Sequence, residues 1–268
     1  MNKKNDFLQK MHSYLRHPAS LIMMILVKLA ALITFTVLIF LIIYILVHGV
    51  PYLKPSLFSL HYNSENASLM PALINTVIMT LLSLLLAVPI GIFSAIFLAE
   101  YAGKGNKFVD IIRLTTETLS GIPSIVYGLF GMLFFVSTCH WGFSLLAGAF
   151  TLAIMILPLI MRTTEEALLS VPDSYREGSF GLGAGKLRTV FYIVLPSAVP
   201  GILAGVILAI GRIVGETAAL IYTAGSVAQV PSSVLGSGRT LAVHMDLLAS
   251  EGLDMDQADA TAGTLLVL

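Results

Sequence analysis

Two ionisable residues interrupt an otherwise apolar stretch late in the chain, Arg212 and Glu216, within Gly211-Arg-Ile-Val-Gly-Glu-Thr217. Set four apart, they share one face of a helix. Charge at membrane depth is costly enough to turn toward a bundle interior or a water-filled path. Two chemistries fit this pair. Arg212 and Glu216 can lock two helices as a mutual ion pair. Alternatively, Arg212 lies on an anion path beside Thr217, with Glu216 orienting it and tempering its grip. A guanidinium presents a planar fork to an oxyanion, and a path must release what it binds. Gly211 and Gly215 form a small-xxx-small pair that permits close helix approach.

Other chemistry is sparse. Gly181-Leu-Gly-Ala-Gly185-Lys186 has the look of a phosphate loop, but Phe180 and Leu187 stand where such a loop needs Gly and Ser or Thr, and no strand precedes it. His48, His61, His140 and His244 lack ligand spacing, so no metal site is indicated. No Gly-x-Ser-x-Gly or His-Glu-x-x-His pattern supplies hydrolytic machinery. The single cysteine, Cys139, excludes an intramolecular disulfide and reads as an inert thiol beside Trp141. Glu117 follows Arg113 by four residues and reads as its partner near the interface. The chain therefore carries no catalytic residues and is not expected to be an enzyme.

The elements that position these residues are membrane helices. The chain has 268 residues, 57% hydrophobic and 11% charged; a soluble domain carries roughly 25% charged residues. An all-α polytopic membrane protein follows. Five complete spans are expected, about 29–47, 72–98, 119–136, 143–161 and 200–224. A sixth apolar stretch, 260–268, reaches less than half the hydrocarbon core and reads as a span cut short. Of the 15 Lys and Arg, 12 flank one side of these spans, Lys54 and Arg239 flank the other, and Arg212 falls within one. The positive-inside rule then puts the N-terminus and the loops 100–113 and 162–192 in the cytoplasm, with 49–71 and 227–258 outside. Phe7, Leu8, Met11 and Leu15 share a face with Lys10 and Arg16 nearby, as in a surface-lying helix, although a solvated leader fits equally. The acidic stretch 246–259 reads as a solvated outer loop.

The longest cytoplasmic connection, 163–192, reads as two short helices. Asp173 suits an N-cap, 174–182 is helical, Gly183 lies near the C-cap, and a second helix runs from Lys186 to meet Pro196. Such a helix–turn–helix, presenting Tyr175, Phe180 and Leu182, can fill a groove on a soluble partner. The spacing Glu177-Gly178-Ser179, three residues, Gly183, nine residues, Ile193-Val-Leu195-Pro196 resembles the EAA loop of ABC-importer permeases, with Gly178 and Ser179 replacing two alanines. Glycine costs about 1 kcal/mol against alanine in a helix, so Gly178 and Gly181 should loosen the loop. The segment from Arg212 to Leu220 resembles the Arg-x-x-Gly-Glu-Thr-Ala-Pro-Leu stretch of phosphate permeases of the PstA type, with Ala219 in place of the proline. Ser120 to Phe130 and Arg162 to Pro172 are similar to the same subunit.

That resemblance implies a type I (MetI-like) permease bundle in the bacterial cytoplasmic membrane, with a permease core over 71–268 and only the first helix and its flanks in 1–70. It implies an ATPase-coupling role for Tyr175, Glu177, Gly178, Ser179, Gly183, Leu195 and Pro196. It implies an inorganic phosphate cargo moved by alternating access. The partners would be a homologous PstC-type permease, two copies of an ABC ATPase, an extracellular phosphate-binding protein and membrane lipid, with no nucleic acid. ATP and Mg would be bound by the ATPase, leaving this chain without a cofactor. Permeases for molybdate or sulfate, and an ion-driven secondary carrier, are the rival readings.

Overall fold

The computed structural model describes residues 18–63, 66–102, 105, 107–251 and 255–267. The N-terminal amphipathic face (Phe7 to Arg16), Lys3, Lys4, Lys104, Asp254 and the last residue lie outside them. Every element is helical among the described residues. Helix α1 (Pro18–Gly49) leads through two short 3-10 turns to α2 (Met70–Tyr101). Helices α3 (Lys107–Ser120) and α4 (Ser124–Thr138) follow, bent 99° from one another. Then come α5 (Leu145–Leu169), α6 (Asp173–Gly181), α7 (Lys186–Val214), α8 (Ala218–Ile221), α9 (Leu241–Glu251) and α10 (Met255–Val267).

Four of these helices are long and apolar enough to cross a membrane, five if the bent pair counts as one span. The expected third span is the bent pair. Pro123 has no amide hydrogen and sits in an extended conformation between the two helices, while the Tyr127 hydroxyl donates to the Leu119 carbonyl at 2.7 Å and braces the corner. The expected fifth span is displaced toward the N-terminus. Helix α7 begins at Lys186, is wound as a π-helix over Val190–Val194, and runs through Pro196 and Pro200 to stop at Val214. Proline is tolerated in the first turn after that wider winding because its missing donor is not called on there. The acidic stretch is helical too. Helices α9 and α10 bury Leu248 and Ala258 beside Ala67, which a solvated loop would not do.

The core lies where α2, α5 and α7 meet, with Met79, Leu152, Met155, Ile156, Ile160 and Ile213 at its centre. A second cluster at the far end of the same helices joins Ala95, Ile96, Leu168, Val190 and Val194. Helix α1 packs on α10 near its C-terminal end, where Gly49 is buried against the backbone of Asp259. Most of its apolar side chains are exposed, as suits a helix solvated by lipid or by another subunit. The bundle has two functional ends. One carries α6 and the junctions 97–101 and 169–190. The other carries residues 52–70 and 222–251.

Candidate functional site

At the first end, α6 projects from the bundle and is fastened to three spans. The fastener is Arg176, whose side chain is 14% exposed. Its guanidinium meets the Glu100 carboxylate at 2.6 Å, at the end of α2. It also donates to the carbonyls of Leu168 (2.9 Å) and Val171 (2.7 Å), where α5 ends, and to Asp173 at 3.2 Å. Asp173 is thus the first helical residue and an acceptor for Arg176, and Pro172 holds the N-cap position instead. The Ser179 and Thr189 hydroxyls lie 2.8 Å apart, tying α6 to α7. Lys186 Nζ sits 5.1 Å from the centre of the Tyr101 ring, tying α7 back to α2.

The turn after α6 is a Schellman cap. The Gly183 amide donates to the Phe180 carbonyl at 2.9 Å and the Ala184 amide to Ser179 at 3.1 Å. Gly183 has φ of +82°, a conformation that side-chain-bearing residues adopt only at a cost. Its glycine is therefore required by the backbone.

The expected coupling residues separate into two groups. Tyr175, Glu177, Gly178 and Gly183 face outward. With Ser174, Leu182 and Tyr192, most of them line a groove of about 530 Å³. Leu182 is 91% exposed and Tyr192 78%, both on this groove, and Phe180 and Leu187 are exposed nearby in the chain. Such patches on a folded surface mark interaction sites. Ser179 lies buried at the floor of this groove, its hydroxyl against that of Thr189. Leu195 is half-buried against the second core cluster and Pro196 lies within α7, so both belong to the helix that the loop leads into.

The expected pairing of Arg212 with Glu216 is not observed. Helix α7 ends at Val214 with Gly215 as its cap, so the two residues do not share a helical face. Glycine's poor helix propensity and a competing side-chain acceptor end the helix there. Glu216 is 92% buried, being 8% exposed, and its Oε1 accepts from the Ala219 amide at 3.0 Å, capping α8. Thr217 is half-buried at the start of the same turn.

Arg212 is half-buried and, among the described residues, makes no ion pair. It lies within electrostatic reach of Tyr127. Gly211 has nothing within 4 Å of where a side chain would start, and Gly215 meets only its own helix, so the expected close approach of a neighbouring helix does not occur within this chain. The segments 120–130 and 211–220 do converge. A Cβ on Gly128 would lie 2.8 Å from the Ala219 Cα, so α4 and α8 touch backbone to backbone. Arg113 pairs with Glu165 at 2.6 Å rather than with Glu117, binding α3 to α5, and Arg162 pairs with Glu166 at 3.0 Å. Glu100 and Arg176 were not singled out by the sequence. Glu100 stands out as a lone charge at the end of an apolar stretch, while Arg176 lies between Asp173 and Glu177 in a polar loop, and no spacing rule joins positions so far apart.

Residues 87–249 match the family described as binding-protein-dependent transport system inner membrane component. The chain belongs to this family. A probable ABC transporter permease protein, YqgI of Bacillus subtilis, is 35% identical over 90% of this chain and 87% of its own length. The phosphate transport system permease protein PstA of Haemophilus influenzae is 39% identical over 66% of this chain and 62% of its own length; that of Pasteurella multocida is 41% identical over 60% and 56%. The resemblance to PstA-type permeases thus rests on extended identity as well as on short motifs. Among solved structures, an inward-facing form of the MetNI methionine ABC transporter shares the fold, with a TM-score of 0.54 at 20% identity over 72% of this chain and 83% of that one. The chain is an ABC-importer permease subunit with a MetI-like bundle, a membrane component that is not itself catalytic.

Proposed function

We propose that this permease carries inorganic phosphate into the cytoplasm, forming half of a pathway whose other half is a homologous, PstC-type permease. The observation that carries the reading is Arg212, a half-buried guanidinium with no ion pair among the described residues, next to Gly211, around which the structure is open. A partly buried cation within a membrane bundle calls for an anion or a partner, and the open side lets a second permease close the path around it. The relatives named PstA support phosphate as the anion. The Thr217 hydroxyl is the nearby group suited to contact the cargo.

ATP hydrolysis is assigned to two copies of a separate ABC ATPase, with ATP and Mg held there. Tyr175, Glu177 and the apolar face of α6 fill the ATPase groove. Gly178 allows close approach, while Gly183, Ser179, Leu195 and Pro196 keep α6 in register with α7. Closure of the ATPase dimer moves α6, and the Arg176 fastener passes that movement to α2 and α5, giving alternating access. The coupling end is cytoplasmic, as is the N-terminus, and the opposite end receives phosphate from an extracellular binding protein.

Uptake of labelled phosphate by cells lacking other phosphate importers tests the reading. Uptake should depend on the intact gene, and Arg212→Lys should depress it with the assembly intact. Gene-independent uptake, or competition by molybdate or sulfate as strong as by phosphate itself, would overturn the phosphate assignment.

A further inference from the structure

Unmet polar atoms gather at the end of the bundle opposite the coupling loop. Among the described residues, seven buried side-chain polar atoms have no hydrogen-bond partner, and five of them belong to Asn75, Arg239, Thr240 and His244. Buried polar atoms in folded proteins are nearly always paired, with protein or with ordered water, so this concentration marks a place that takes a polar occupant. The four residues are joined to one another. Asn75 Nδ2 donates to the carbonyls of Gln229 (2.9 Å) and Arg239 (3.1 Å). The His244 amide donates to the Thr240 carbonyl at 2.8 Å. The Tyr62 ring lies over the Arg239 guanidinium at 4.6 Å and meets the His244 ring edge-on at 6.1 Å. Arg239 is 7% exposed and His244 0%.

The free atoms specify the ligand. Nε and Nη2 of Arg239 are one edge of the guanidinium fork, two donors spaced for two oxygens of an oxyanion. Asn75 donates through its nitrogen to two carbonyls, so its free Oδ1 is an acceptor. His244 Nε2 must donate to the Ala67 carbonyl at 3.2 Å, so the free Nδ1 of the neutral ring is also an acceptor. Burial, reinforced by Arg239, lowers the His244 pKa to about 4 and keeps that ring neutral. The Thr240 hydroxyl can give or take. Sulfate or molybdate, fully deprotonated, would satisfy only the donors. Hydrogenphosphate carries a P–OH and satisfies both kinds.

We propose that Asn75, Arg239, Thr240 and His244 form an occluded binding site for a protonated oxyanion of the hydrogenphosphate class, separate from Arg212. The Tyr62 ring covers the guanidinium, so exchange of the ligand requires Tyr62 to move. The choice of phosphate as cargo rests on the functional reading above, whereas the donor and acceptor set stands without it.

Thermal unfolding of the full assembly tests the site, in phosphatidylcholine nanodiscs without ATP, titrated with inorganic phosphate or sulfate at matched ionic strength. Phosphate should raise Tm progressively, with sulfate at least about tenfold less potent, as expected when a buried acceptor is left unmet. Arg239→Met should abolish the phosphate response while raising the ligand-free Tm, because it removes a buried cation that, among the described residues, has the Tyr62 ring but no carboxylate beside it. A phosphate response that survives Arg239→Met, or a ligand-free Tm that falls, overturns the site. Should Arg239→Met fail to assemble, Thr240→Val keeps the charge and should weaken phosphate about tenfold; an unshifted titration is then decisive against it. Stabilisation seen only with phosphatidylglycerol, whose phosphodiester has no P–OH, also contradicts the proposal. A wild-type assembly that ignores phosphate here yet shows gene-dependent phosphate uptake refutes this site and leaves the cargo assignment standing.

Discussion

Arg176 and Arg239 are both largely buried arginines, at opposite ends of one bundle, and their surroundings differ completely. Arg176 is saturated by Glu100, Asp173 and the carbonyls of Leu168 and Val171. Arg239 leaves Nε and Nη2 unmatched among the described residues. A saturated guanidinium fixes geometry, and here it holds the projecting helix α6 to two spans. An unmatched one costs stability until an anion arrives. The end that carries α6 ties down its largely buried arginine and exposes apolar side chains, as the docking surface proposed for it requires. The opposite end buries polar groups and leaves them unmet, as a site that fills and empties should.

The comparison can be broken by substitution, most severely at the fastener. Glu100→Gln leaves Arg176 with only the largely exposed Asp173 as counter-charge and should cost up to about 3–5 kcal/mol, measured as a fall in Tm or loss of assembly. Loss of Arg239 should do the opposite, and two falls would erase the distinction between the two arginines. Gly183→Val forces a β-branched residue into φ of +82° and should cost about 1–2 kcal/mol or more. Phosphate uptake should be lost with membrane insertion intact, and normal ATPase association would count against a coupling role for the turn.

A milder effect concerns His244, whose folded pKa of about 4 lies below its ordinary 6.5. Between these values the unfolded chain binds the extra proton, so stability rises with pH across that window and is lost as pH falls through it. His244→Gln should flatten the Tm profile between pH 4 and 6.5, and an unchanged slope would place the titration elsewhere. The smallest effect is expected at Gly178, which lies on the exposed face of α6 with open space around it. Gly178→Ala should stabilise the loop by up to about 1 kcal/mol without impairing docking, read from Tm and ATPase association together.

Much of this was legible in the chain because hydropathy and local spacing are local signals. Apolar length located most of the spans, and the Glu177 to Pro196 spacing marked the loop that carries α6 and its turn. The Schellman turn at Gly183 follows from the same local grammar of caps. What escaped was set by tertiary contact. The break at Gly215 depends on Glu216 finding the Ala219 amide rather than Arg212. The partner of Arg113 is Glu165, on another helix, rather than Glu117 on its own. The fastener joins positions 100 and 176, and the polar cluster joins 75 with 239, separations at which no periodicity speaks. Helix α7 reads as a span starting near Pro200 because prolines usually mark boundaries, yet it runs through two of them.

The most direct measurement is phosphate-stimulated ATP hydrolysis by this permease reconstituted with a PstC-type permease, an ABC ATPase and a phosphate-binding protein. Stimulation by loaded binding protein in the wild-type assembly, lost in Gly183→Val while the ATPase remains active alone, is the result expected of a permease coupled through α6. Hydrolysis indifferent to phosphate in the wild type, or stimulation undiminished in Gly183→Val, would contradict the account.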